Sequence, residues 1–209
     1  FARLKESVTL IGQLFREDFV SFEGEYFKTH NATIYDRPDQ PVPIYMAASG
    51  PLAARLAGRL GDGFICTSGK DAALYDELLA KVAEGAEQAG RDPAAIRRMI
   101  EIKVSYDRDR ERAFRNTEWW AALSLTPEQK EGIEDPIEME RVADANVDQA
   151  PSRFICSDDP EETVERIGLY ADLGFDELVL HAPGPDQPRF LEQFREDVLP
   201  PLRERVARG

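Results

Sequence analysis

From Pro43 onward the chain alternates short apolar runs with amphipathic helical patterns, and this rhythm limits the fold more than any other feature. Strand candidates fall at 43–47, 63–67, 100–106, 153–156 and 177–181, and helical patterns run roughly over 51–60, 71–90, 108–118, 160–173 and 187–206. Such alternation predicts parallel strands joined by crossover helices, an α/β architecture. Residues 119–150 break the rhythm. There Trp119-Trp120, Thr126-Pro127-Glu128 and Asp135-Pro136-Ile137-Glu138 mark two short helices inside an insertion, with the tryptophans read as its core. Before Pro43, the spacing of Phe1, Leu4, Val8, Ile11 and Phe15 predicts a helix from the first residue, and the apolar residues flanking Gly24 predict a hairpin. Nothing resembles a linker, a repeat or a low-complexity tract, so one domain over 1–209 is expected.

Composition narrows the functional classes. A chain of 209 residues with 42% hydrophobic and 32% charged residues reads as a globular domain with one sizeable core. It has no apolar run of the ~20 residues a membrane span needs and no signal-peptide pattern, so no membrane partner is expected and the cytoplasm is the default location. The net charge of −14 argues against nucleic acid, whose phosphates call for basic stripes. Cys66 and Cys156 each end an apolar run without nearby histidines, which suits buried thiols and not a metal site.

Polar groups gather where apolar strands stop. In Gly63-Phe64-Ile65-Cys66-Thr67-Ser68-Gly69-Lys70 an apolar run gives way to two hydroxyls, a glycine and an ammonium, a set suited to an anion at the C-terminal end of a strand. An ordinary strand-to-helix turn with a solvated lysine has the same appearance. Lys130 and Arg153 are further candidates for a local basic pocket in an acidic protein. At Ala47-Ala48-Ser49-Gly50-Pro51 a strand ends and a helix opens on proline, and the free amides around Gly50, Leu52 and Ala53 could hold a phosphate. His181 closes a strand and is read either as a general acid or base or as a hydrogen-bonding structural residue. Glu101 and Lys103 alternate with apolar neighbours and could share one face of a strand as a pair.

The stretches GDGFICTSGK, MIEIKVSYD, LSLTPEQK, DDPIEMERVADA and LVLHAPGPDQPRFLE, in this order, closely resemble the coenzyme F420-dependent glucose-6-phosphate dehydrogenases of the luciferase-like (β/α)8 superfamily. The resemblance runs over essentially the whole chain. It implies a TIM barrel of the luciferase-like type, represented by its C-terminal half with an insertion at about 119–150, and oxidation of glucose 6-phosphate to 6-phosphogluconolactone with hydride passing to coenzyme F420. By match to the family's motifs, Thr67, Lys70, Lys130 and Arg153 form the substrate-phosphate site. Ser49, Gly50, Leu52 and Ala53 form part of the cofactor site. The catalytic histidine and glutamate of that family are expected upstream of Phe1, so none is expected in this chain and residues 1–209 alone are expected to be inactive. A homodimer is expected for the full-length form. Where the family has a glycine pair this chain has Ser49-Gly50, and the segment before Arg153 is shorter than the family's.

Overall fold

A computed structural model describes residues 1–208, which fall into two compact units: Phe1–Cys66 with Asp71–Met99, and Thr67–Lys70 with Ile100 onward. In the first unit, α1 (Ala2–Arg16) leads into an antiparallel hairpin of β1 (Val20–Glu23) and β2 (Lys28–Ala32). Glu6 holds the hairpin turn, its carboxylate accepting from the backbone N–H groups of Glu25, Tyr26 and Phe27 at 2.8, 2.9 and 3.2 Å. The predicted apolar face of α1 is only partly used. Val8 and Leu10 are buried, whereas Phe1, Leu4 and Ile11 are exposed, because α1 packs on β1 and α2 along a narrower stripe than the spacing suggests.

The parallel part of this unit begins with β3 (Tyr45–Ala47) and β4 (Gly63–Thr67), in register Tyr45↔Gly63 and Met46↔Phe64 and joined by α2 (Pro51–Leu60). This is a βαβ crossover, with Pro51 in the first turn of α2, where a missing N–H costs nothing. α3 (Ala72–Gln88) packs on α2 at backbone contact. A Cβ on Gly58 would run into the carbonyl oxygen of Val82, and one on Gly85 into that of Arg55. Arg91 closes the end of α2 by donating to the carbonyls of Gly58 (2.9 Å) and Gly61 (2.7 Å).

The second unit is built on residues 100–106 of β5 (Arg97–Tyr106), whose Ile100, Ile102 and Val104 are fully buried. β6 (Ile155–Ser157) runs parallel to its end, with Val104↔Ile155 and Tyr106↔Ser157, and β7 (Glu177–His181) also pairs with β5. After β5 come α4 (Arg110–Thr117), a 3-10 turn at Glu118–Leu123, α5 (Pro127–Lys130), α6 (Pro136–Ala145) and a 3-10 stretch at Val147–Arg153. The insertion is therefore helical, as its sequence predicts, but its core is not. Ala121, Leu125, Ala143 and Ala150 form it, whereas Trp119 and Trp120 are 71% and 43% exposed. Small side chains let these short helices approach closely and leave no room for an indole.

α7 (Pro160–Asp172) starts as its sequence predicts, with the Asp159 carboxylate accepting from the N–H groups of Glu161 and Glu162. The chain closes with α8 (Gln187–Gln193), a π turn at Phe194–Val198 and α9 (Leu199–Arg208). Charged groups pin this end to β5. The Arg108 guanidinium donates to Asp197 at 2.7 Å and to Glu196 at 2.9 Å, and the Tyr106 hydroxyl donates to Asp197 at 2.8 Å. Asp107, 2% exposed, receives a two-point contact from Arg189 at 2.7 and 2.8 Å. Burial pushes the Asp107 carboxyl up, but the Arg189 guanidinium and the Asp109 N–H outweigh it and hold the group below the usual carboxylate range.

A carboxyl held low stabilises the folded state above its unfolded value near ~4 and stops doing so as pH falls through its folded value. Asp107→Asn is expected to cost about 1–2 kcal/mol at pH 7, below the full penalty of a buried pair because Arg189 is partly solvated. Urea titrations at stepped pH should show the variant and parent converging below about pH 4. A constant gap down to pH 2 would assign the loss to packing instead.

Candidate functional site

The turn after β4 is held through its middle residues. Ser68 is buried, its N–H donating to the Glu101 carbonyl (2.8 Å) and its hydroxyl accepting from the Lys103 N–H (3.0 Å). Gly69 has φ +84°, the left-handed region that glycine enters without strain, and its N–H donates to the Tyr170 hydroxyl at 3.3 Å. Thr67 and Lys70 are thereby presented at the surface on either side of a buried serine. Cys66, just behind them, is an inert thiol, pushed by burial up to about 12, and burial likewise lifts Cys156 to about 11.

Arg153 ends the 3-10 stretch that leads into β6. β6 pairs with β5 from Val104↔Ile155 onward, two residues beyond Arg153. Arg153 is half-buried there, and its Nε is buried without a hydrogen-bond partner. A buried guanidinium N–H without an acceptor is costly and fits an anion.

Lys130 is positioned by the insertion and not by the strands. It ends the single turn of α5, which a capping box fixes: Gln129 N–H donates to the Thr126 hydroxyl and Thr126 N–H to the Gln129 side-chain oxygen. The Gln129 amide also donates to Asn146 at 2.8 Å, tying α5 to the end of α6. Thr67, Lys70, Lys130 and Arg153 all belong to the second unit.

Ser49, Gly50, Leu52 and Ala53 lie in the first unit, where β3 passes into α2. Gly50 is extended (φ −149°), so its backbone does not require glycine, yet a Cβ there would meet nothing within 4 Å. The space before the N-terminus of α2 is therefore open to a ligand, and free N–H groups at a helix start favour an anion.

Sequence reasoning pairs Glu101 with Lys103 but connects neither to His181 or Trp120. The Glu101 carboxylate is 2.8 Å from His181 Nδ1 and 3.6 Å from the Lys103 ammonium, joining β5 to the end of β7. Trp120 meets the His181 ring edge to face at 4.9 Å, and Phe154 does so at 6.4 Å. Alternation along β5 signals that Glu101 and Lys103 share a face, but no local pattern links either to His181 or Trp120. Among the described residues, no group of three or more His, Cys, Asp or Glu is arranged to hold a metal ion, and no helix is long and apolar enough to cross a membrane.

The family model described as luciferase-like monooxygenase matches residues 1–177. The chain belongs to the luciferase-like family. A protein of Intrasporangium calvum named F420-dependent glucose-6-phosphate dehydrogenase is 60% identical over 205 residues, covering 97% of this chain and 61% of the relative. A protein of the same name from Nakamurella multipartita is 58% identical over 211 residues, covering 100% of this chain and 62% of its own. The chain thus spans about three-fifths of the length of these relatives. Among solved structures, an F420-dependent secondary alcohol dehydrogenase in complex with an F420–acetone adduct superposes with a TM-score of 0.78 at 28% identity, covering 93% of this chain and 59% of that one. The F420-dependent tetrahydromethanopterin reductase of Methanopyrus kandleri, at 23% identity and a TM-score of 0.75, shares the fold, with 96% and 63% covered. Parallel strands with crossover helices are therefore those of the luciferase-like fold, as the resemblance implies.

Proposed function

We propose that the protein carrying this chain oxidises glucose 6-phosphate to 6-phosphogluconolactone, with coenzyme F420 as hydride acceptor. The observation that carries this reading is the polar turn at the end of β4, together with the unpartnered Nε of Arg153 at the end of the 3-10 stretch before β6. Relatives at 58–60% identity bear the corresponding name. In this reading Thr67, Lys70, Lys130 and Arg153 hold the substrate phosphate, and Ser49, Gly50, Leu52 and Ala53 hold an anionic part of the cofactor. When bound, coenzyme F420 supplies the redox chemistry. This chain contributes binding and orientation and no catalytic group; the proton-handling residues are proposed to lie outside it. A hydride acceptor can serve many alcohols, but a neutral substrate would leave the phosphate-binding cations without a purpose. The chain forms one luciferase-like domain with an insertion near 119–150, in a cytoplasmic homodimer of carbohydrate metabolism, with no nucleic-acid partner.

The test is cofactor reduction in the whole protein, followed by absorbance, with glucose 6-phosphate against glucose and 2-propanol. Reduction by glucose 6-phosphate alone supports the reading, and equal use of 2-propanol refutes it. Gly50→Val checks the cofactor cradle. The added side chain should weaken coenzyme F420 binding about tenfold, ~1.4 kcal/mol, while glucose 6-phosphate binding changes less than twofold. Unchanged cofactor affinity in a fluorescence titration would remove α2 from the cofactor site.

A further inference from the structure

Beside the anion turn lies a polar centre to which no role is yet attached. Lys103 is 7% exposed and carries three N–H donors on its ammonium, but its nearest charged partner, Glu101, stands at 3.6 Å, beyond hydrogen-bond distance. Glu101 spends one oxygen on His181. Among the described residues His181 is hydrogen-bonded only through Nδ1. An ammonium on a nearly buried side chain, with its carboxylate partner at 3.6 Å, has donors left to give to a bound acceptor.

Charge decides what kind of acceptor. With one carboxylate, one ammonium and an imidazole, the centre offers donors and acceptors together and little net charge, which suits hydroxyl groups and not a second phosphate. Trp120 supplies an apolar wall. Its backbone departs from the helical region (φ −123°, ψ 26°) within the 3-10 turn, and its half-exposed ring stands edge to face on His181. Position ties the centre to the anion turn, since the Glu101 carbonyl accepts from Ser68 N–H and the Lys103 N–H donates to the Ser68 hydroxyl.

We infer that Glu101, Lys103 and His181, walled by Trp120, form a hydroxyl-recognising subsite that reads the sugar of a phosphorylated sugar while the neighbouring turn holds its phosphate. The inference rests on the phosphate-binding part of the proposed function and not on the redox step. These residues bind and orient the ring, so they set which sugar is accepted.

Binding constants for glucose 6-phosphate and for ethyl phosphate, which keeps the phosphate and lacks the hydroxyls, test it by calorimetry on the whole protein. Glu101→Gln and Lys103→Met should each weaken glucose 6-phosphate at least tenfold and leave ethyl phosphate within twofold. Trp120→Leu, at a half-exposed position where folding is not at risk, should weaken the sugar phosphate three- to tenfold with the same selectivity. Lys70→Ala should weaken both ligands alike. The inference is overturned if these variants weaken both ligands equally, if they weaken neither, or if the parent binds ethyl phosphate as tightly as glucose 6-phosphate. Retained selectivity in a protein that reduces no coenzyme F420 would uphold the subsite and refute the dehydrogenase.

Discussion

Lys70→Ala should raise the KM for glucose 6-phosphate roughly 10- to 100-fold, the ~1.5–3 kcal/mol of a hydrogen bond to a charged group. The loss should fall on phosphate recognition and spare the cofactor. Inorganic phosphate should lose potency as a competitive inhibitor by a similar factor, while coenzyme F420 affinity stays within twofold. The turn explains the selectivity, because the bonds of buried Ser68 and the Gly69–Tyr170 contact hold its backbone. A substitution at Lys70 therefore removes a charge and leaves these backbone bonds in place. Lys70→Arg is the useful companion, since a guanidinium keeps the charge but changes its reach and geometry. If KM for glucose 6-phosphate moves less than threefold in the alanine variant, Lys70 is a solvated lysine and the phosphate is held elsewhere.

The second large effect concerns stability. Gly85→Val should destabilise the protein by about 3 kcal/mol or more, at the upper end of overpacking costs, because its Cβ would collide with a backbone carbonyl of α2 and not with a movable side chain. Gly58→Ala meets α3 in the same way from the opposite helix. Neither site can relax by a rotamer change; the helices must separate, and their buried Leu56, Ala57, Leu78 and Val82 must lose contact. Urea denaturation of both variants measures the cost. Parent-like midpoints would mean that α2 and α3 slide apart freely.

Much of the parallel framework is legible in the sequence because each strand is apolar and each crossover helix carries its own start signal. Gly63–Thr67 and Glu177–His181 fall where their apolar runs place them, and Pro51 and Asp159-Pro160 mark helix starts. Composition does not reveal the insertion's core, since tryptophans attract attention and alanines do not, yet it is Ala121, Ala143 and Ala150 that pack. Within the site, Thr67 to Lys70 is local and readable. The Glu101–His181 contact spans eighty residues and depends on strand pairing, and Trp120 is aimed by a backbone kink with no sequence signature. Long-range geometry of this kind is a product of the tertiary fold, which no window of neighbouring residues contains.

The insertion's small core has an evolutionary consequence. Ala121, Leu125, Ala143 and Ala150 pack with one another, and Gln129 and Asn146 latch the helix turn that bears Lys130. A module with its own cohesion behaves as an exchangeable cartridge: its residues can drift, lengthen or be replaced while the strands beneath keep their register. Selection can thus act on the piece that bears Lys130 without putting the inherited scaffold at risk.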